Sequence, residues 1–262
     1  MTRQLDGQVA FITGAGRGIG RAIAEALADA GAAVALVARS ETQVTETAAG
    51  IEQSGGRALP LVANVTNAAA VRHAVREATR VLGPITLLVN NAGTPGPFGR
   101  DWEVDADTWW ECVEVSVRGA FICNQVVVPD MIARGCGRVV HVASTTGTAP
   151  RPMLTATSVA KTALIRLTEG LALSAAPHDV RVFAIHPGLV DTQLLRAYDL
   201  NFSQLTFDPP QRAAELCVRL ASGKYDALTG RFLRVEDDLD ALIGQVPDIT
   251  QRELLTLRIR PA

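Results

Sequence analysis

The stretch Thr13-Gly14-Ala15-Gly16-Arg17-Gly18-Ile19-Gly20 decides how the rest of this chain is read. It follows VAFIT (9–13), a short run of apolar and β-branched residues, and it opens directly into GIGRAIAEALADAG (18–31), where apolar and alanine positions recur at helical spacing. A strand, a glycine turn and a helix in immediate succession form the context in which such glycines carry meaning. Residues without a Cβ let the backbone come close to a pyrophosphate, and the helix N-terminus supplies N–H groups and a positive dipole.

The same rhythm continues outward. AVALVA (33–38), ALPLVA (58–63), ITLLVN (85–90), GRVVHVAS (137–144), VRVFAIH (180–186) and GRFLRV (230–235) are strand-like. They are almost continuously apolar, as strands buried on both faces should be. ETQVTETAAGIEQSG (41–55) and NAAAVRHAVREATRVLG (67–83) have helical period between them. Alternation of this kind predicts βαβ units, hence an α/β fold with a doubly wound parallel sheet covered by helices on both faces. No repeat, low-complexity tract or linker divides the chain, so residues 1–262 are expected to form one domain. The polar and aromatic stretch 189–210 breaks the rhythm and reads as a lid.

Composition removes several function classes. A hydrophobic fraction of 48% suffices for a buried sheet, and a formal net charge of -2 gives no bulk attraction to nucleic acid or to an anionic membrane. Cys112, Cys123, Cys136 and Cys217 are scattered without a CxxC pair, so neither a metal site nor a redox dithiol is expected. The N-terminus lacks an apolar signal core and no run is long enough to span a bilayer. The expectation is a soluble cytoplasmic protein.

Ala38-Arg39-Ser40 ends the second strand. An acid here would accept the adenosine ribose hydroxyls and repel a 2′-phosphate. Ala38 cannot do so, whereas Arg39 can pair with the phosphate and Arg17 can assist. NADP(H) is therefore expected over NAD(H), unless both arginines are simply solvated.

Further motifs follow in order: Asn90-Asn91-Ala92-Gly93 after the fourth strand, Ser144 ending the fifth, Lys161 seventeen positions later, and Pro187-Gly188 after the sixth. Together with the glycine turn this pattern resembles the short-chain dehydrogenase/reductase family over about residues 5–236. The resemblance implies a seven-stranded Rossmann sheet, a nicotinamide cofactor, and a homodimer or homotetramer. It implies that Gly14, Gly18, Ile19 and Gly20 cradle the pyrophosphate. Asn64, with Val65 beside it, stands where the family usually has an adenine-contacting aspartate. Asn91, Ala92 and Gly93 would lie beside the adenosine ribose. Lys161 would hold the nicotinamide ribose, and Pro187, Gly188, Val190 and Thr192 would line the nicotinamide.

The catalytic group departs from the family's Asn, Ser, Tyr and Lys in two places. Ser144 and Lys161 match, but the tyrosine position, four before the lysine in TATSVAK (155–161), is Thr157, and the asparagine position, in VEVSVRG (113–119), is Ser116. A tyrosine beside a lysine is a usable acid; a threonine hydroxyl is not, and it is shorter by a ring. Three substitutes follow. A water relay from Lys161 with Ser144 polarising the carbonyl is one. Tyr198 as donor from the lid is another, although it also reads as a packing residue. His141 is the third, although strand alternation sets it on the opposite face from Ser144, as a core histidine. Trp102, with Phe98, Leu194, Leu195 and Tyr198, suggests a pocket for a small hydrophobic substrate, and Trp109 and Trp110 sit on a helix capped by Asp105 or Asp107. The expected activity is hydride transfer between NADP(H) and a hydrophobic carbonyl or alcohol. Its rivals are a non-redox reaction on the same fold and a silent nucleotide-binding partner.

Overall fold

Seven parallel strands are hydrogen-bonded in the order β3-β2-β1-β4-β5-β6-β7. They are β1 (Val9–Thr13), β2 (Ala33–Ala38), β3 (Arg57–Val62), β4 (Leu87–Asn90), β5 (Gly137–Val142), β6 (Val180–His186) and β7 (Phe232–Arg234). This is a computed structural model, and it describes residues 3–198 and 204–259. The strand order reverses between β1 and β4. In open α/β sheets the crevice beyond the carboxyl ends of the strands at that reversal is where ligands bind.

Helices cover both faces. On one, α1 (Gly18–Asp29) and α2 (Glu41–Gln53) pack Ile23, Leu27, Val44 and Ile51 against Ile12, Leu36 and Val89. On the other, α3 (Ala68–Leu82) brings Val71, Ala74 and Ala78 against Phe11, Val37 and Leu88. The next helix changes pitch midway. α4 (Ala106–Val113), capped by Asp105 through the Thr108 N–H, runs through a wider π-turn at 114–118 into α5 (Gly119–Arg134). Such turns unwind a helix locally and re-aim the side chains on them; here the side chain is that of buried Ser116. α6 (Thr155–Ala175), the short α7 (Gln193–Arg196), α8 (Pro210–Ala221), α9 (Leu239–Gly244) and α10 (Val246–Gln251) complete the order. The result is a single Rossmann-like domain.

β3 departs from the expectation of strands buried on both faces. It is an edge strand and its residues are only partly covered, with Val62 56% exposed. Pro60 within it suits an edge, where a missing N–H costs no second ladder. At the other edge the Phe232 N–H donates to the Leu255 carbonyl at 2.8 Å, so the C-terminal segment covers β7. Buried Glu169 on α6 anchors that segment by accepting the Leu257 N–H at 2.7 Å and an Arg258 N–H at 3.0 Å. The interval 189–210, read above as a lid, holds α7 after a four-residue loop, and 199–203 lie outside the described residues. Its base is closed by Asp208, which donates its N–H to the Leu189 carbonyl at 2.7 Å and accepts the Leu189 N–H at 3.0 Å.

Candidate active site

A cavity of about 1030 Å³ lies beyond the carboxyl ends of the strands at the reversal between β1 and β4. It is larger than the roughly 300–1,000 Å³ of a drug-sized site, as a dinucleotide with a substrate beside it requires.

The nucleotide end begins at the glycine turn. Gly14 and Gly18 have φ of +65° and +54°, the left-handed region. A Cβ at Gly20 would overlap the Gly14 carbonyl oxygen and the Asn91 side chain, so no other residue lets α1 start here. α1 carries no side-chain cap, whereas Ser40, Asn67 and Asp105 cap α2, α3 and α4. Uncapped N–H groups at a cavity wall suit an anion. Asn91 latches this turn to the end of β4: its Nδ2 donates to the Thr13 and Gly14 carbonyls at 3.0 and 3.2 Å, and the Thr13 hydroxyl accepts the Asn91 and Ala92 N–H groups at 3.0 Å each. Arg17 and Arg39 are exposed at the rim, and Arg17 donates to Gln193 on α7. Arg39 has no hydrogen-bond partner among the described residues. Ala38 and Ser40 flank it on the wall, and no carboxylate stands between them. The glycine turn and the bare helix end therefore fit the pyrophosphate of a dinucleotide.

Asn64 and Val65 also line the cavity. The Asn64 side-chain oxygen already accepts both the N–H and the hydroxyl of Thr66, each at 3.1 Å. An adenine amino group would have to compete with Thr66 for it.

The catalytic end gathers side chains from the end of β5, α6, the π-turn, the loop after β6 and α7. Ser144 follows β5 and accepts the Thr146 N–H at 3.2 Å, which leaves its own proton free to donate. Lys161 on α6 donates to the Val142 carbonyl at 2.8 Å, and burial pulls its ammonium down from 10.5 to about 8. Thr157, one turn earlier, faces the same cavity, as does Ser116 from the π-turn beside Gly93. Pro187, Gly188, Val190 and Thr192 form the wall after β6. Gly188 has φ +82°, and a Cβ there would press on Asp208 at 2.6 Å. Leu194, Leu195 and Tyr198 close the wall from α7 and the turn after it. The Tyr198 phenol oxygen lies 3.1 Å from the Thr157 hydroxyl. Burial pushes that phenol, and the thiol of nearby Cys112, above their ordinary values.

The family model for short chain dehydrogenases matches residues 8–201. The chain belongs to the short-chain dehydrogenase family. A short chain dehydrogenase of Pseudocercospora fijiensis is 34% identical over 261 residues, covering 92% of this chain and 84% of that protein. Galactitol 2-dehydrogenase of Rhizobium johnstonii is 34% identical over 248 residues, covering 89% and 95%. A gluconate 5-dehydrogenase from Burkholderia cenocepacia, solved in complex with NADP and tartrate, superposes with a TM-score of 0.84 at 31% identity, covering 92% of this chain and 98% of that one. Sequence and fold both place this chain among the short-chain dehydrogenases, whose members use nicotinamide cofactors.

Within this short-chain dehydrogenase, one site expectation is corrected. Trp102 does not line the cavity: it is 79% exposed, with the Arg100 guanidinium 5.9 Å from its ring centroid. It lies in the turn before α4, which keeps it clear of the crevice. Trp110 is 58% exposed, while the Trp109 indole donates to Thr155 at 3.0 Å and so ties α4 to α6. Phe98 lines a smaller neighbouring hollow, 6.2 Å from the Tyr198 ring. His141 is buried under the sheet, bonded to Thr168 at 2.8 Å and to Asn124 at 3.1 Å, and burial pulls it down to about 3. It is a neutral core group, as strand alternation requires. His186 sits on the cavity wall with its Nδ1 buried and unpartnered, and burial lowers its pKa.

Four contributors were not singled out from the sequence. Gln193 pairs with Arg17, Asp208 fixes the loop after β6, Gly96 packs closely against Ala156 and Thr157 beside Tyr198, and Cys112 stands 4.0 Å from Thr157. The acid of FDPP (207–210), at the foot of a lid, was a legible signal; the other three depend on distant segments meeting. Among the described residues no cluster of three metal-ligating side chains occurs, and no helix is long and apolar enough to cross a membrane.

Proposed function

We propose that this chain is an NADP(H)-dependent oxidoreductase acting on a small hydrophobic carbonyl or alcohol. The observation that carries the reading is one continuous cavity, with an uncapped helix end and a free Arg39 at one extremity and Ser144 with Lys161 at the other. The glycine turn and the α1 N–H groups hold the pyrophosphate, Arg39 the 2′-phosphate with Arg17 beside it, and Asn91, Ala92 and Gly93 the adenosine side. Lys161 holds the nicotinamide ribose, and Val190 and Thr192 hold the carboxamide edge. A bound nicotinamide supplies or accepts the hydride. Ser144 donates its free proton as a hydrogen bond to the substrate oxygen, where negative charge gathers during reduction. Leu154, Leu189, Leu194 and Leu195 give the substrate an apolar wall and keep water from the reacting carbon.

The four cysteines carry no disulfide, which suits a reducing cytoplasmic setting. The family resemblance, and the exposure of Val159 and Leu173 on α6, support a homodimer or homotetramer.

The test is a titration of NADPH and NADH followed by tryptophan fluorescence. A screen of hydrophobic ketones, aldehydes and alcohols then follows, read by the absorbance of reduced nicotinamide, with product analysis of parallel samples lacking cofactor. Tighter NADPH binding and cofactor-dependent turnover are expected. Products formed equally without cofactor would overturn the redox reading in favour of a lyase or isomerase.

A further inference from the structure

Position 157 lacks an aromatic hydroxyl, yet the structure places one there from elsewhere. The Tyr198 phenol oxygen stands 3.1 Å from the Thr157 hydroxyl, on the wall of the cavity that also holds Ser144 and Lys161. Its ring is fixed from the side by Phe98, with centroids 6.2 Å apart. Gly96 lines the same small hollow as the ring. The two hydroxyls form one hydrogen bond in which either can donate, so the phenol proton can be turned to a substrate oxygen. Gly96 is itself set by close packing: a Cβ on it would lie 2.7 Å from Ala156 and 3.4 Å from the Thr157 hydroxyl. Three segments distant in sequence therefore meet around this hydroxyl pair.

We propose that Tyr198 is the proton donor of this active site, and that Thr157 is a positioning residue which holds the phenol at the reacting oxygen. The proposal rests on the oxidoreductase reading above. In the step it describes, the carbonyl carbon gains the hydride of a reduced nicotinamide dinucleotide. The carbonyl π pair moves to oxygen, and that oxygen takes the proton of the Tyr198 hydroxyl. The products are the alcohol, the oxidised dinucleotide and a tyrosinate, which recovers its proton from solvent. Burial keeps the phenol protonated at neutral pH, so the donor stays loaded between turnovers. Cys112 from α4 is the titratable neighbour that bears on the phenol, and its own burial keeps that thiol protonated and uncharged.

Two measurements test this, one of them independent of turnover. The chain has only two tyrosines, and Tyr225 is fixed far from the site by Arg219 at 2.7 Å and Asp240 at 3.0 Å. The ultraviolet titration of wild type minus that of Tyr198→Phe therefore isolates Tyr198. Thr157→Val, which removes the hydrogen bond, is expected to move that midpoint upward, and Thr157→Ser to leave it in place. In turnover, Tyr198→Phe keeps the ring packing and is expected to lower kcat for ketone reduction by about 10²-fold or more, with the Kd for NADPH unchanged. Thr157→Val should lower kcat, and Thr157→Ser should retain it. A Tyr198 midpoint indifferent to Thr157→Val, or a Tyr198→Phe enzyme turning over within about threefold of wild type, overturns the proposal alone. A wild type inert toward every carbonyl with either cofactor overturns the oxidoreductase reading and the proposal with it.

Discussion

The Lys161 ammonium donates to the carbonyl of Val142 at 2.8 Å, fastening α6 to the carboxyl end of β5. Burial holds this lysine at about 8, below its ordinary 10.5. Between those values the unfolded chain binds a proton that the folded chain does not, so the folded state gains stability as pH rises. Below about pH 8 both states are protonated and the burial penalty is fully present. Comparing wild type with Lys161→Met by urea unfolding from about pH 7 to about pH 10 should show the difference shifting toward wild type, on the order of 2 kcal/mol. A difference flat in pH would show that Lys161 titrates as a solvated lysine.

Two glycines should respond in opposite directions to the same substitution. At Gly20 a Cβ has no room against Gly14 and Asn91. Gly20→Ala should destabilise by about 1–3 kcal/mol and abolish dinucleotide binding, read by thermal unfolding and fluorescence titration. Gly50, within α2, has nothing within 4 Å of its would-be Cβ. Gly50→Ala should stabilise by about 0.5–1 kcal/mol and leave binding untouched.

Arg39→Ala should weaken NADPH binding by about 10- to 100-fold, the value of a charge-assisted hydrogen bond of roughly 1.5–3 kcal/mol. NADH binding should barely change, because only NADPH carries the 2′-phosphate. Equal losses for both cofactors would assign Arg39 to the shared part of the dinucleotide instead.

On α6, Val159, Thr162, Arg166, Gly170 and Leu173 form an exposed stripe, with Leu173 80% and Val159 46% exposed. A stripe at helical spacing with a glycine in it allows a second copy to approach closely. Light scattering at micromolar concentration should give a dimer or tetramer, and Leu173→Asp should shift the mass toward monomer. A monomeric wild type would remove this surface from consideration.

Thr157→Tyr alone would drive a new ring into the space where the Tyr198 phenol meets Thr157. Combined with Tyr198→Ala, that space is vacated. The double variant should reduce simple ketones about 10²–10⁴ times faster than Tyr198→Ala, measured by NADPH consumption. No gain in the double variant would mean that Lys161 and Ser144 are not arranged to use an acid at position 157.

What the sequence by itself determined is local and periodic. The order of strands and helices, the glycine turn, and the positions of Ser144, Thr157 and Lys161 all follow from neighbours a few residues apart. Backbone geometry and helical spacing depend on such neighbours alone. Strand alternation even separated His141 from Ser144 correctly, since a period of two fixes which face a side chain takes. Strand exposure was less legible. ALPLVA reads as a buried strand apart from Pro60, the one local sign of an edge, and the sheet order shows that β3 lies there. Trp102 failed for a related reason: an aromatic residue near the Asn91 motif in sequence was carried onto the outer surface by the turn before α4. The tertiary structure alone decided what stands at position 157. A side chain forty-one residues away enters from beyond β6, its ring against Phe98 from a third segment. No periodicity encodes a meeting of that kind, because it depends on how β6, α7 and α6 pack once the sheet has formed.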